Sequence, residues 1–148
     1  MEVLTESARA TQKLGEKFAA DLISGKLSSR VICLYGDLGS GKTTFIQGLA
    51  RGLGIKKRVL SPTFIIMRQY PLTINHESSI INFFHIDLYR IEKVEDTRGL
   101  GLEEIWSDTG NIVAIEWPEK IEKILPKKRI EIHFEYVGEN GRKIKIND

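Results

Sequence analysis

The most constraining feature of this 148-residue chain is a glycine-rich segment, Gly36-Asp37-Leu38-Gly39-Ser40-Gly41-Lys42-Thr43. It matches the phosphate-binding P-loop pattern G-x-x-x-x-G-K-[ST] at every required position. The apolar run at 31–35 before it predicts a buried strand, and the amphipathic pattern that begins near Lys42 predicts a helix. This order of strand, glycine-rich turn and helix is the context in which the motif binds nucleotide phosphates.

The residue types within the motif suit phosphate binding. Glycines let consecutive backbone N–H groups curl around phosphate oxygens, and the following helix adds its own N–H groups and the positive end of its dipole. We expect a nucleotide to contact the whole segment from Gly36 to Thr44. Lys42 is expected to reach the β- and γ-phosphates, the Thr43 hydroxyl to bind Mg²⁺, and Thr44 to reach the α-phosphate.

Composition sets the broad class of the protein. Hydrophobic residues at 41% and charged residues at 28% are ordinary for a globular protein, and the length favours one domain over residues 1–148. We expect a cytoplasmic protein without a membrane segment, because no apolar run approaches the roughly 20 residues of a span and no signal pattern opens the chain. Cys33, the sole cysteine, lies in the predicted buried strand, which favours core packing over catalysis.

Charge provides little support for nucleic-acid binding. The net charge is +2, and the basic clusters at 56–58, 127–129 and 142–145 are short. Short charge runs are usually solvated surface, and no aromatic-rich RNA-reading signature accompanies them. We therefore expect no DNA partner and at most weak or indirect contact with tRNA, and we leave open whether the clusters meet RNA or protein.

Two carboxylates stand at the ends of predicted strands. Asp87 ends the apolar run that begins at Ile80, and Glu116 ends the run that begins at Asn111. In α/β folds, the carboxyl ends of parallel strands form the edge where ligands bind. Mg²⁺ prefers hard oxygen ligands, so we predict Thr43 and Glu116 as its protein ligands. Asp87 is predicted to orient an attacking water, with a turn-capping role as the alternative.

Two other polar residues, Thr63 and His85, could have either a functional or a structural role. Thr63, in the segment Ser61-Pro62-Thr63-Phe64, follows the P-loop helix and is a candidate sensor of the γ-phosphate, although a turn threonine more often bonds locally. His85 alternates with Phe83, which favours a packed or surface histidine over a catalytic base.

The remaining patterns predict the surrounding elements. We expect a helix from an N-cap at Thr5 to about Ile23, with room for an adenine against its edge, and short helices within 94–106 and 118–125. Antiparallel strand pairs are predicted at 64–70 with 80–86, around a polar loop at 71–79, and at 129–137 with 143–146. The chain is thus expected to adopt an α/β, P-loop NTPase-like three-layer fold with a mixed, mainly parallel central sheet and antiparallel edge hairpins.

The class of P-loop protein can be narrowed from the residues alone. GTPases carry a D-x-x-G motif after a buried strand and an N-K-x-D motif that reads guanine. Asp96-Thr97-Arg98-Gly99 fits D-x-x-G, but no buried strand is predicted before it and N-K-x-D is absent, so GTP is disfavoured. A small-molecule kinase usually carries an arginine-rich lid, and the only basic segment after Glu116 before the final strands is 127–129. An ATPase that serves a partner, and a compact kinase of a small molecule or protein, both remain.

Four segments, at 36–55, 61–64, 85–104 and 115–119, closely resemble the bacterial TsaE family, also called YjeE. The resemblance implies a domain that binds ATP or ADP and Mg²⁺, and that hydrolyses ATP slowly unless assembled with the TsaD and TsaB proteins. Those proteins attach threonylcarbamoyl to the adenosine beside the anticodon in tRNAs that read A-starting codons. The resemblance implies roles for Lys42 on phosphates, Thr43 and Glu116 on Mg²⁺, and Asp87 and Thr63 near the γ-phosphate and water.

Overall fold

The computed structural model describes residues 1–60, 66–73 and 79–148. In this part of the chain, the strands are β1 Glu2–Thr5, β2 Val31–Tyr35, β3 Met67–Pro71, β4 Asn82–Asp87, β5 Asn111–Glu116, β6 Ile130–Val137 and β7 Gly141–Asn147. The α-helices are α1 Ala8–Ile23, α2 Lys42–Gly52 and α3 Leu102–Ser107, with 3₁₀ helices at Val94–Thr97 and Pro118–Ile124. None of the described helices is long and apolar enough to cross a membrane.

The strands form one mixed sheet in the order β1-β7-β6-β2-β5-β4-β3. The four central strands, β6, β2, β5 and β4, run parallel, and the strands at both edges pair antiparallel. The predicted α/β P-loop fold with antiparallel edge hairpins is therefore confirmed. Because β4 and β5 are parallel, their carboxyl ends meet, and Asp87 lies directly opposite Glu116.

Helical layers cover both faces of the sheet. One buried cluster joins the sheet to α1 and α2 through residues such as Phe18, Phe45 and Leu49. A second cluster, on the other face, includes Leu102 of α3 and Ile121 of the second 3₁₀ helix. Burial on both faces explains why β5 is buried at every position and reads as a continuous apolar run.

Helices α1 and α2 approach each other at backbone distance. A Cβ added at Gly15 would lie 2.3 Å from the Phe45 carbonyl oxygen, and one at Gly48 would lie 2.0 Å from the Gln12 carbonyl oxygen. Glycine is therefore required where the two helices cross. This contact fixes α2, whose first residues belong to the P-loop.

The start of the chain differs from the prediction. Ser7, and not Thr5, caps α1, and its hydroxyl accepts a hydrogen bond of 3.1 Å from the Ala10 N–H. Thr5 instead ends β1, which pairs antiparallel with β7, and its hydroxyl bonds that of Thr11 at 2.8 Å. Such a short edge strand is stabilised by a partner about 140 residues away, so local patterning did not reveal it.

The segment predicted as an antiparallel strand at 129–137 is only partly so. As β6, it pairs antiparallel with β7 on one side but parallel with β2 on the other. Alternating apolar residues report that one face is buried and do not report the direction of a neighbouring strand. The predicted 64–70 and 80–86 pair is present as β3 and β4, while residues 61–65 and 74–78 lie outside the described part.

Replacing Gly48 with alanine tests the crossing of α1 and α2. Although alanine normally favours a helix, the added Cβ would overlap the Gln12 backbone, so we expect a loss of about 3 kcal/mol or more in the free energy of unfolding. Gly54→Ala is the control, because φ is 84° there but no described atom lies within 4 Å, and strain alone costs about 1 kcal/mol. Urea denaturation that showed equal losses would contradict the assignment.

Cys33 provides a second test, of the burial of β2. Burial raises the pKa of the Cys33 thiol to about 12, so the thiol stays protonated at pH 8. We expect Ellman's reagent to leave the native protein unlabelled while it modifies one thiol per chain in guanidinium chloride. Rapid labelling of the folded protein would show that β2 is not central in the sheet.

Candidate functional site

The glycine-rich segment connects β2 to α2 through backbone conformations that favour glycine. Gly36, Gly39 and Gly41 have φ values of 148°, 77° and 108°, and Gly41 caps α2. A Cβ at Gly36 would lie 2.6 Å from the Ser40 hydroxyl oxygen and 2.8 Å from the Phe134 carbonyl oxygen. The strand, loop and helix predicted for the P-loop are therefore present, with the loop packed too closely at Gly36 for another residue.

The Lys42 side chain is buried within this loop. Its ammonium donates to the carbonyl oxygens of Gly36 and Asp37, the latter at 3.2 Å, and lies 4.0 Å from the ring centroid of Trp117. Burial lowers the pKa of Lys42, while nearby carboxylates, Glu116 foremost, act in the opposite direction. The loop thus holds a cation at its centre, at the position expected to meet phosphates.

The carboxylate of Glu116 is held through both of its oxygens. Oε1 accepts a hydrogen bond of 3.0 Å from the Thr43 hydroxyl, and Oε2 lies 2.7 Å from Nε2 of His85. Glu116 and His85 are both buried. The two residues predicted to bind Mg²⁺, Thr43 and Glu116, are therefore in direct contact although 73 positions separate them.

Asp87 lies beside Glu116 at the carboxyl edge of the sheet. Its Oδ1 accepts a hydrogen bond of 3.0 Å from the Tyr89 N–H, which is the turn-capping contact named as the alternative role. The side chain also borders the pocket of the P-loop, so both interpretations of Asp87 are compatible with its position.

A pocket of about 270 Å³ lies over the loop and the two carboxylates. Its walls contain the predicted residues Leu38, Gly39, Gly41, Lys42, Thr43, Thr44, Asp87 and Glu116. Gly36, Asp37 and Ser40 belong to the same loop but do not line the pocket, and Thr63 lies outside the described residues. The Ser40 hydroxyl is buried without a hydrogen-bond partner among the described residues.

Two aromatic residues complete the pocket. Tyr89 and Trp117 line it, with ring centroids 5.3 Å apart. Trp117 has a φ of 60°, a left-handed conformation that costs a non-glycine residue about 1–3 kcal/mol. In this conformation the Trp117 ring contacts the Lys42 ammonium. The signal available in the sequence was its position directly after Glu116, within the 115–119 segment of the family resemblance.

A second, smaller cavity of about 110 Å³ borders the other side of the loop, beside Thr44. It is lined by Thr11 of α1, Asn140 of the β6–β7 turn and Arg142 of β7. Arg142 donates to the Gly39 carbonyl oxygen at 3.3 Å, and its Nε is buried without a partner in the described part of the chain. In the sequence, Arg142 belongs to the basic cluster at 142–145, and no local pattern connects it with the P-loop.

The donor set suits Mg²⁺ better than a metal held wholly by protein. Among the described residues, no group of three or more His, Cys, Asp or Glu side chains could hold a metal ion. One hydroxyl and one carboxylate, Thr43 and Glu116, are the hard oxygen share expected for an ion that keeps waters and binds nucleotide phosphates.

Comparison with known proteins assigns the chain to a family. The family model described as threonylcarbamoyl adenosine biosynthesis protein TsaE matches residues 5–144. A Borreliella burgdorferi relative, named tRNA threonylcarbamoyladenosine biosynthesis protein TsaE, is 42% identical over 119 residues, which cover 80% of this chain and 81% of the relative.

A Bacillus subtilis relative with the same name is 37% identical over 139 residues, covering 94% of this chain and 78% of the relative. The crystal structure of YdiB from that bacterium is similar, with a TM-score of 0.74 and 30% identity, and covers 97% of this chain and 82% of that one. The chain therefore belongs to the TsaE family.

Proposed function

We propose that this protein is a Mg²⁺-dependent ATPase that acts in the synthesis of threonylcarbamoyladenosine in tRNA. The observation that carries the proposal is the contact of Thr43 with Glu116 beside Lys42, in a pocket that Asp87 also borders. A P-loop lysine, a hydroxyl and two strand-end carboxylates are the parts that P-loop ATPases use. Membership of the TsaE family supports the pathway.

ATP binding would use the whole loop from Gly36 to Thr44. The Lys42 ammonium, held by the carbonyls of Gly36 and Asp37, would exchange these contacts for β- and γ-phosphate oxygens. We place the nucleoside beside Thr44, near the start of α1, where Arg142 would contact it.

Thr43 and Glu116 would hold Mg²⁺, which when bound supplies charge that neutralises the phosphate oxygens. The Thr43 hydroxyl would present its oxygen to the ion in place of donating to Glu116. Asp87, fixed by the Tyr89 N–H, would orient the attacking water toward the γ-phosphate. Thr63 remains a candidate beside that phosphate from sequence alone.

A partner protein would complete the site. Hydrolysis spreads negative charge over the γ-phosphoryl oxygens, yet no arginine lines the larger pocket in the part of the chain described. Leu38 and Tyr89 stand at this pocket with exposed fractions of 67% and 43%, which suits a docking surface. We propose TsaD and TsaB as the partners, so that contact with tRNA is indirect, in the cytoplasm.

The deciding experiment measures ATP hydrolysis by the purified protein, alone and with TsaD and TsaB of the same organism, together with threonylcarbamoyl transfer to tRNA. We expect slow hydrolysis alone, stimulation by the partners, and sustained modification of tRNA. Equal hydrolysis rates with and without the partners, and no modification, would refute the proposal. Labelled γ-phosphate appearing on a sugar or protein instead of in water would identify a compact kinase.

Substitution of the two carboxylates should separate binding from hydrolysis. We expect Glu116→Ala to weaken Mg²⁺-dependent ATP binding, because it removes a ligand oxygen. We expect Asp87→Ala to leave the Kd for Mg-ATP nearly unchanged and to slow hydrolysis by about 100-fold, because it removes the group that orients water. Binding calorimetry and phosphate release provide the two readouts.

Glu103→Ala is the control for this pair, since Glu103 is an exposed carboxylate on α3, outside the P-loop pocket. It should change neither binding nor hydrolysis. Equal effects of Glu116→Ala and Asp87→Ala on both readouts would overturn the division of roles.

Tryptophan fluorescence should report nucleotide binding. If phosphates draw the Lys42 ammonium away from the Trp117 ring, now 4.0 Å away, the emission of Trp117 should change when ATP is added. The protein contains two tryptophans, and the other, Trp106, lies in α3. We expect the response to survive Trp106→Phe and to disappear in Trp117→Phe. The reverse pattern would place the nucleotide elsewhere.

A further inference from the structure

The contact between His85 and Glu116 is not explained by the machinery described so far. The His85 ring is 0% exposed, and its Nε2 lies 2.7 Å from Oε2 of Glu116. The two residues belong to neighbouring parallel strands, β4 and β5, in which His85 faces Ala114 across the ladder, two positions before Glu116. Because a carboxylate can only accept a hydrogen bond, the ring donates to it through Nε2.

This contact acts on a carboxylate that is already bonded at its other oxygen. Thr43 donates to Oε1 at 3.0 Å, while His85 holds Oε2. The terminal torsion of a glutamate is soft, so one hydrogen bond alone leaves the plane of the carboxylate free to turn. Two bonds, one at each oxygen, define that plane and direct Oε1 toward Thr43 in the first turn of α2.

A purely structural role accounts poorly for a histidine at this position. Nδ1 of the ring is buried and has no hydrogen-bond partner among the described residues. A buried polar atom without a partner costs free energy, so an apolar side chain would serve the core better. The one polar contact that the described residues make with the ring is the bond to Glu116.

We propose that His85 is a positioning residue for the Mg²⁺ ligand Glu116. By donating Nε2–H to Oε2, it holds the carboxylate with Oε1 facing Thr43, in the orientation needed to share an ion with the Thr43 hydroxyl. The inference rests on the proposed Mg-nucleotide site. Side chains that orient a metal ligand through a hydrogen bond typically contribute 10- to 100-fold in metal affinity.

A pair of substitutions isolates the hydrogen bond. In His85→Gln, the side-chain amide can place a donor near the position of Nε2, whereas in His85→Asn the amide reaches only as far as Nδ1. Both variants are polar and smaller than or similar to histidine, so their effects on the core are comparable. Phe83→Leu, two residues earlier on the same strand, is the control, since it disturbs the buried core without contacting Glu116.

The readout is the binding of ATPγS measured by calorimetry, with excess Mg²⁺ and with EDTA. The Kd in EDTA divided by the Kd with Mg²⁺ gives the contribution of the metal to binding. We expect His85→Asn to reduce this ratio about 10-fold or more while the Kd in EDTA changes less than about twofold. His85→Gln should restore much of the ratio, and Phe83→Leu should leave it as in the wild type.

Three results would overturn the inference. A wild-type ratio in His85→Asn would show that the hydrogen bond does not serve the metal. Equal losses in all three variants would indicate general destabilisation. If the wild type itself shows no dependence on Mg²⁺, the proposed metal site fails and the role of His85 fails with it. The first two results, by contrast, leave the metal site intact.

If His85→Asn does not fold, nuclear magnetic resonance of the wild type provides the same test. The Nε2–H signal of His85 should be protected from exchange and should shift when Mg²⁺ is added to the protein bound to ATPγS. The same signal should not shift in Glu116→Gln. A wild-type signal that ignores Mg²⁺ would contradict the proposal.

Discussion

The parallel pairing of β2 with β5 is the constraint on which the site depends. In this register Leu34, one residue before the last of β2, lies opposite Glu116, the last residue of β5. Both strands therefore end at the same edge, where β2 continues into the P-loop and β5 delivers the carboxylate. The adjoining parallel pair of β4 and β5 adds Asp87 at the same level. Strand direction alone thus collects the phosphate loop and both acids.

The site also depends on where helix α2 lies relative to the carboxyl edge of the sheet. The glycine contacts between α1 and α2 seat α2 close to its neighbour, and the Thr43 hydroxyl in its first turn reaches Oε1 of Glu116. Four polar side chains of the site are buried, namely Lys42, Asp87, Glu116 and His85. Burial disfavours the charged form of such groups unless each has a hydrogen-bond partner. Main-chain carbonyls and N–H groups supply partners for Lys42 and Asp87, and side chains supply those of Glu116.

The candidate site is buried around Lys42 and exposed at the rim of its pocket. Lys42 is buried, whereas Leu38 at the tip of the loop and Tyr89 beside it are exposed. The pocket therefore has a buried cation at its base and exposed hydrophobic or aromatic side chains at its rim. Trp117 lies between Glu116 and the second 3₁₀ helix in the chain, and its backbone is strained. Its aromatic ring lines the pocket.

Local sequence was sufficient for much of this protein. The boundaries of β2, the start of α2 and the ends of β4 and β5 followed from apolar runs, the glycine-rich motif and the acids that close the strands, because each reflects interactions between near neighbours. The motif also named the loop residues, and the ends of the predicted strands named both carboxylates. Resemblance to a family, carried by four separate motifs, then identified the pathway.

Tertiary structure decided the contacts between distant residues. The bond from His85 to Glu116 spans 31 positions, Arg142 meets the loop at Gly39 across 103, and β1 pairs with β7 at the opposite end of the chain. Periodicity shows which face of a strand is buried, but it carries no information about the neighbour or its direction, as β6 illustrates. The sequence by itself determined the P-loop and the acids at the strand ends, whereas only the packed sheet determined which side chains contact those acids.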